Sequence, residues 1–334
     1  MLDARGGPEA GRSRGVLLDV LTRFWQEFFT ALTIGGNEKI PYIRHDLQKA
    51  EWQAIERALV YGYQKMKYFP LQVSHLFVAS SLFGEESITP DFLLKSFREY
   101  IAEEDREVLD MCLRDDFDLQ DDDGNDNDDV LKFLSPFKCF RIPNKDSIIS
   151  IISELAHQEL IQKPRYVLNC WAPILDVPRC DHSFQTLEGL DQLYKSKRPI
   201  AKKTVKLLQG EQATDAERQS LDYLKKFVKS LEGKALSMFL RFCTGRDVIT
   251  CDSIRICFSS LEGLQRRPVA RTCVPIRELP LVLRATIDQF LYYPFFLRSL
   301  NDTLQHLTAN TCTAMICYTT SSQLFVLITP RKRH

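Results

Sequence analysis

Cys273 is the residue of this chain best suited to act as a nucleophile. It follows Arg271 and Thr272 and precedes Pro275, in a short β-favouring segment. Cysteine reacts as the thiolate, and nearby positive charge favours that form. Residues two apart in a strand share a face, so we expect the Arg271 guanidinium beside the sulfur. Thr272 lies on the opposite face and is a local hydrogen-bonding support. The alternative interpretation of Cys273 is a buried structural thiol.

The other nine cysteines show no pattern of a metal or disulfide site. The chain contains ten cysteines in all, and no two have C-x-x-C spacing. Cys170, Cys180 and His182 fit no zinc template. We interpret these cysteines as small buried hydrophobes in a reducing compartment, which predicts the cytoplasm or the nucleus. No metal and no cofactor is expected.

A cysteine hydrolase is a weaker alternative for the chemistry of Cys273. Such an enzyme needs a histidine that takes the proton of the thiol. No histidine-containing segment lies near Cys273 in the sequence, so His157 and His182 are candidates only if the fold brings them there.

Charge is balanced overall but segregated along the chain. With 44 basic and 44 acidic residues the formal net charge is zero, which predicts no nucleic-acid partner. Residues 115–129 contain nine aspartates and no basic residue, and we expect an acidic disordered loop there. A calcium loop is excluded because Leu119 and Val130 stand where an EF-hand requires carboxylates. Residues 191–213 are rich in lysine and predict a basic linker, with a nuclear import signal as the alternative.

The first half of the chain is typical of a helical domain. Apolar residues recur at three- and four-residue steps from Val16 to Phe29 and again from Trp52 to Tyr63. Further helices are predicted over 71–83, 91–111, 145–161 and 166–174, with Pro164 between the last two. Residues 1–15 lack an apolar leader segment and predict a disordered N-terminus.

The pattern changes after the lysine-rich segment. Thr214 and Glu217 form a predicted capping box for a helix that ends at Gly233. A second helix is predicted over 234–242, before Thr244 and Gly245. Alternating apolar residues over 254–258 then predict a strand, and 269–273 predict another. The sequence therefore predicts an α+β fold whose cysteine lies where a strand runs into a loop.

Two segments of this second half resemble the C-lobe of HECT-type ubiquitin ligases. Residues 221–245 are similar to the opening of that lobe, where a helix pair leads to a Phe-x-Thr-Gly signature. Residues 267–273 resemble the catalytic segment, in which the cysteine follows a threonine and precedes a Leu-Pro pair, here Leu279-Pro280. Upstream, four segments resemble the divergent branch near the G2/M-phase-specific ubiquitin ligase: 15–25, 43–46, 154–157 and 160–164.

The resemblance implies a bilobal HECT-like fold of the α+β class. Its mainly helical N-lobe would span 16–190 and its smaller α/β C-lobe 214–282, with Cys273 in the C-lobe. The family carries ubiquitin as a thioester on this cysteine and passes it to a lysine. The implied partners are a ubiquitin-charged conjugating enzyme, ubiquitin and an unknown protein substrate. The alternative is a catalytically inactive HECT remnant that acts as an interaction module.

The sequence departs from the family at both ends. The usual opening strands of the N-lobe are lacking, and the region expected to dock the conjugating enzyme, about 85–143, is short. Arg271 stands where the family commonly has histidine, so positive charge is kept but proton transfer is lost. Residues 283–334 form a divergent tail with one predicted helix over 283–300. Residues 311–329 are uncharged but too polar for a confident membrane anchor, so a membrane partner is not expected.

Overall fold

The protein is mainly helical with a small strand content, which places it in the α+β class. The computed structural model describes residues 14–114, 125–139, 141, 143–259, 269–271, 276–280, 312–318 and 324–330. The chain divides into two compact units. We call Trp25–Gln64 with Pro70–Ser196 the helical unit. We call Met1–Phe24, Lys65–Phe69 and Lys197–His334 the mixed unit.

The helical unit is built from amphipathic helices joined by short turns and one small hairpin. The two-residue strands β1 (Thr33–Ile34) and β2 (Ile40–Pro41) pair antiparallel. The helices are α1 (Arg14–Ala31, shared with the mixed unit), α2 (Lys49–Met66), α3 (His75–Phe83), α4 (Pro90–Tyr100), α5 (Arg106–Cys112), α6 (Asn125–Leu134), α7 (Ile148–His157), α8 (Arg165–Leu175) and α9 (Leu187–Lys197).

The predicted helical stripes of this unit form its core. Trp52, Ile55, Leu59 and Tyr63 of α2 are all buried, as the three- and four-residue spacing requires. The third predicted helix begins later than expected, because the Ser74 hydroxyl accepts the amide of Phe77 and thereby fixes the start of α3.

Helix α7 and its continuation differ in detail from the predicted apolar helix. Ile148 and Ile152 are buried, whereas Ile149 is 47% exposed because it lies about a quarter-turn away from the buried face. A π-helical turn, Gln158–Gln162, follows α7, and Pro164 precedes α8. Pro164 therefore separates the two helices, as the sequence predicted.

The acidic segment is helical at its end, contrary to the expected disordered loop. Asn125 to Asp129 form the beginning of α6, in which Val130, Phe133 and Leu134 are buried. Burial of these three side chains stabilises the helix enough to include the acidic residues before them. Residues 115–124, the rest of the predicted loop, lie outside the described residues.

The mixed unit is built around two long helices and a four-stranded sheet. Helix α11 (Asp215–Lys229) begins with the predicted capping box: Glu217 donates its amide to the Thr214 hydroxyl, and its carboxylate accepts the Thr214 amide. The helix ends at Lys229, so the prediction that Gly233 ends it is wrong. Gly233 is the first residue of α12 (Gly233–Thr244), with φ of 48°. Gly245 caps α12 in the left-handed conformation, φ 74°.

The sheet of the mixed unit has four strands in the order β3-β4-β6-β5. They are β3 (Leu208–Gln209), β4 (Ile254–Ser259), β5 (Val269–Arg271) and β6 (Ile276–Pro280). Strand β4 runs parallel to both β3 and β6, and β5 runs antiparallel to β6. Ile254 and Ile256 of β4 are buried and Arg255 is exposed, which confirms the predicted alternation.

The core of the mixed unit lies between the helices and this sheet. Buried apolar side chains come from α11, α12, β3 and β4, and Thr244 is buried beside them. The members of this cluster are Leu208, Leu221, Leu224, Phe227, Val228, Leu231, Leu236, Phe239, Leu240, Cys243, Ile254 and Ile256.

The predicted basic linker is largely folded. Residues 191–213 include the end of α9, helix α10 (Ala201–Leu207) and β3. Ala201, Val205 and Leu207 pack against the core cluster, and Thr204 is buried. Because these apolar side chains recur on one face of α10, the lysines are left on the other. The segment is thus a structural part of the mixed unit rather than a solvated linker.

The divergent tail contains a second, separate sheet. Strands β7 (Cys312–Tyr318) and β8 (Leu324–Pro330) pair antiparallel over their whole length. The predicted helix over 283–300 and residues 1–13 lie outside the described residues. The prediction of a disordered N-terminus is wrong for Arg14 and Gly15, which belong to α1. In the described part of the chain, none of the helices combines the length and the apolar character needed to cross a membrane.

Candidate active site

Cys273 and Thr272 lie outside the described residues, but the strands on both sides of them are described. Arg271 is the last residue of β5 and pairs with Ile276, the first residue of β6. Only residues 272–275 therefore separate β5 from β6, two strands that are hydrogen-bonded to each other. The predicted strand over 269–273 is confirmed as far as Arg271, where β5 ends.

The sheet that carries this connection is supported by the helix pair of the mixed unit. Strand β6 pairs with β4 over five positions, from Arg255 with Ile276 to Ser259 with Pro280. Strand β5 lies next to α12. Ile254 and Ile256 of β4 belong to the core cluster, so the strand that pairs with β6 is anchored in the packed part of the unit.

The Phe-x-Thr-Gly signature is the end of α12 and its cap. The hydroxyl of Thr244 donates to the Leu240 carbonyl at 2.8 Å, and the amide of Gly245 donates to the Arg241 carbonyl at 2.8 Å. Phe242 packs against the core cluster. A residue with a side chain is disfavoured at the φ of 74° that Gly245 adopts, which explains the glycine.

Two hydrogen bonds from distant parts of the chain hold the turn after α12. The Thr22 hydroxyl donates to the Gly245 carbonyl at 3.1 Å, and the Tyr68 hydroxyl donates to Oδ1 of Asp247 at 3.1 Å. Nearby, Arg241 forms an ion pair with Asp19 at 3.5 Å. We call Thr22, Tyr68, Gly245 and Asp247 the turn clamp. The turn clamp could not be predicted from the sequence, because no local pattern links residues so far apart.

Burial changes the pKa values of two side chains of the turn clamp, Asp247 and Tyr68. Burial raises the pKa of Asp247 above its usual value, although the bond from Tyr68 acts in the opposite direction. Burial and the neighbouring Asp247 also raise the pKa of Tyr68 well above its usual value. Tyr68 therefore stays protonated and can donate to Asp247 throughout the physiological range.

Several of the other cysteines are poor nucleophiles for a physical reason. Burial raises the pKa of Cys112 to about 11, and it also raises the pKa of Cys170 and of Cys251. Such thiols remain protonated near neutral pH and react slowly. Cys112 and Cys170 are buried, as predicted, whereas Cys251 is half-buried and Cys180 is exposed.

The histidines considered for a cysteine hydrolase belong to the helical unit. Nε2 of His157 lies 2.5 Å from Oε1 of Glu85, and Nδ1 of His157 lies 3.1 Å from the Gln162 amide nitrogen. His182 lies in the 3-10 turn after Cys180. The described residues hold no group of three or more histidine, cysteine or acidic side chains suited to bind a metal ion.

No protein-family model matches this sequence, and no curated protein matches it either.

Proposed function

We propose that this protein is a HECT-type ubiquitin-protein transferase with Cys273 as its nucleophile. The proposal is carried by the pairing of Arg271 with Ile276, which leaves four residues between two hydrogen-bonded strands. Such a connection suits a nucleophile that must meet two large protein partners in turn. The order of the sequence motifs in the chain supplies the identity of those partners.

The proposed reaction has two acyl transfers. The Cys273 thiolate attacks the thioester carbonyl of ubiquitin on the conjugating enzyme, and the cysteine of that enzyme leaves as thiolate. A lysine amine of the substrate then attacks the new thioester, an isopeptide bond forms and the Cys273 thiolate leaves. The amine releases its proton to solvent or to a neighbouring base. Neither step requires a metal ion or a nucleotide.

The residues around Cys273 have supporting roles in this proposal. Arg271 provides positive charge that favours the thiolate, and Thr272 supplies a local hydrogen bond. Phe242, Thr244 and Gly245 form the end of α12 and its cap, and the turn clamp holds that cap in place. Arg271 keeps its proton at neutral pH, so the proton of the attacking lysine must go elsewhere.

A thioester assay tests the proposal directly. The full chain is incubated with activating enzyme, ubiquitin and a panel of conjugating enzymes, and the products are separated without reductant. We expect an adduct that thiol reagents remove and that Cys273→Ala abolishes. Cys273→Ser should give an oxygen ester that resists thiol reagents, because a hydroxyl replaces the sulfur.

Cys180→Ala is the matched control, since Cys180 is exposed and its removal leaves the packed core intact. This variant should form as much adduct as the unmodified chain. If no conjugating enzyme of the panel gives an adduct, the transferase is excluded and the inactive interaction module takes its place. An adduct that persists in Cys273→Ala would assign the nucleophile to another cysteine.

A further inference from the structure

Helix α10 and the adjoining helix α11 present a basic surface that the proposed reaction does not use. Its cationic residues lie away from the core, because Ala201, Thr204 and Val205 occupy the inner face of α10. The two helices pack against each other. We call the following set the basic face: Lys202, Lys203 and Lys206 of α10, and Lys225, Lys226 and Lys229 of α11.

Most of this charge is not neutralised by the protein itself. Lys202, Lys206 and Lys229 are exposed, and none of the three forms an ion pair with any residue that the structure describes. Lys226 instead lies over the ring of Tyr223, 5.7 Å from its centroid. The exposed Asp222 lies on the same face of α11, one turn before Lys225 and Lys226, so the excess of positive charge lies mainly on α10. Like charges on that short helix repel one another, and an anionic partner would relieve the repulsion.

The folded state of α10 argues against its use as a linear import signal. A receptor that reads an extended lysine-rich peptide would have to unfold α10 and expose Thr204. The lysines are nevertheless accessible as a helical surface. An anionic chain that lies along the folded helix fits these lysines without unfolding α10.

Among anionic chains, the surroundings of the basic face favour polypeptide. Proteins that bind single-stranded nucleic acid stack bases on exposed aromatic rings, and the Tyr223 ring is already covered by Lys226. Proteins that lie on membranes insert several apolar side chains. Among residues 17–24, 65–69 and 197–258 of the mixed unit, apart from Ala216, Ile200 is the one exposed large apolar side chain.

We propose that the basic face is a docking surface for an acidic segment of a protein partner. The recognised chemistry is a run of aspartate or glutamate carboxylates in extended polypeptide, held by charge-assisted contacts to α10 and α11. The surface is independent of the thioester chemistry, so each of the two proposals can fail without the other.

A fluorescence-anisotropy titration of the full chain tests this proposal. The probe is a labelled decapeptide with the sequence of residues 115–124, Asp-Asp-Phe-Asp-Leu-Gln-Asp-Asp-Asp-Gly, and its counterpart carries asparagine for every aspartate. We expect saturable binding of the acidic probe, none of the asparagine probe, and weaker binding as salt is raised.

Charge reversal at the basic face supplies the specific test. The double variant Lys202→Glu and Lys206→Glu should lower the affinity about tenfold, since each exposed charge contact contributes roughly threefold. The matched control is Lys95→Glu and Lys145→Glu, two exposed lysines of the helical unit that form no ion pair within the described part of the chain. It changes the net charge equally and should bind as the unmodified chain does.

Three outcomes would overturn the proposal. The control variant could lose as much affinity as the α10 variant, which would show attraction to total charge alone. A single-stranded oligonucleotide of equal charge could bind more tightly than the peptide, which would make the surface a nucleic-acid site. The acidic probe could fail to bind at all. Thermal unfolding of each variant should match that of the unmodified chain, because the replaced lysines are exposed.

Discussion

The Tyr68 hydroxyl donates a hydrogen bond to Oδ1 of Asp247 across 179 residues of sequence, at 3.1 Å. Tyr68 is only 1% exposed. The parallel bond from Thr22 to the Gly245 carbonyl spans 223 residues. The turn after α12 is therefore held by two segments from the beginning of the chain. This explains why the mixed unit includes Lys65–Phe69 and the first part of α1.

Removing the Tyr68 hydroxyl should destabilise the protein through Asp247. In Tyr68→Phe the half-buried carboxyl of Asp247 loses its donor, and we expect the free energy of unfolding in urea to fall by about 1–3 kcal/mol. Asp247→Asn should cost less, because the amide oxygen can still accept from Tyr68. Comparison of Tyr68→Phe, Asp247→Ala and the double variant should give a coupling energy of about 1 kcal/mol. Strictly additive effects would show that the bond contributes nothing.

The turn clamp also predicts that the C-terminal part of the chain does not fold alone. A fragment of residues 197–334 lacks Thr22 and Tyr68, so the Gly245 carbonyl and Asp247 lose their buried partners. We expect this fragment to show no cooperative transition in urea, followed by circular dichroism, whereas the full chain shows one. A cooperative transition of the fragment would contradict the structural role of the clamp.

Local features of the fold could be predicted from the sequence, and long-range ones could not. The capping box at Thr214, the alternation in β4 and the glycine cap at Gly245 are encoded within a few residues. The pairing of β3 with β4 and the bond from Tyr68 to Asp247 depend on where distant segments meet. The lysine-rich segment has the composition of a linker, because the residues that it packs inward, Ala201, Thr204 and Val205, are few and small.

The candidate site likewise combines features that the sequence predicts with features that depend on distant segments of the chain. The motif order predicts Cys273, Arg271 and Thr272 as site residues, and strand β5 occurs at the predicted place, whereas strand β6 was not predicted. The pairing of Arg271 with Ile276 was not foreseen, because residues 276–280 carry no alternating apolar pattern. Their assignment to a strand comes from the parallel partner β4, which sequence spacing does not reveal.

The capping box offers a stability test within the mixed unit. Thr214→Ala removes the acceptor for the Glu217 amide and should lower the free energy of unfolding by about 1 kcal/mol. Thr214→Ser keeps the hydroxyl and should lower it much less. Urea unfolding of the two variants decides the point, and equal losses would show that the hydroxyl is not the stabilising group.

A half-buried carboxyl in the helical unit, that of Glu38, predicts a pH-dependent stability near neutrality. Burial raises the pKa of Glu38 to about 7, against opposing bonds from the Ser74 hydroxyl at 2.7 Å and the His75 amide at 3.2 Å. The folded pKa thus exceeds the unfolded one of about 4.3. The unfolded chain releases its proton first, so the stabilising effect of the bound proton is complete below about pH 4 and is lost as pH rises through 7.

Glu38→Gln removes this titration while its amide oxygen can still accept from Ser74. Between pH 5 and 7 the unmodified chain should lose stability relative to the variant, by at most about 1.4 kcal/mol per pH unit. Urea unfolding at pH 5, 6, 7 and 8 measures the difference. A difference that stays constant over this range would mean that Glu38 titrates normally.

The role proposed for Arg271 can be tested through the reactivity of the neighbouring thiol. Arg271→Ala removes the positive charge that favours the Cys273 thiolate, so alkylation of Cys273 by iodoacetamide at pH 7 should slow about threefold to tenfold. Arg271→Lys keeps the charge and should react almost as fast as the unmodified chain. Quantification of the alkylated peptide by mass spectrometry follows this one cysteine among the ten.

Arg277→Ala is the control. Arg277 pairs with Ala270, so it lies on the opposite face of the two strands from Arg271. Equal slowing by Arg271→Ala and Arg277→Ala would show a general effect of charge and remove the specific role of Arg271.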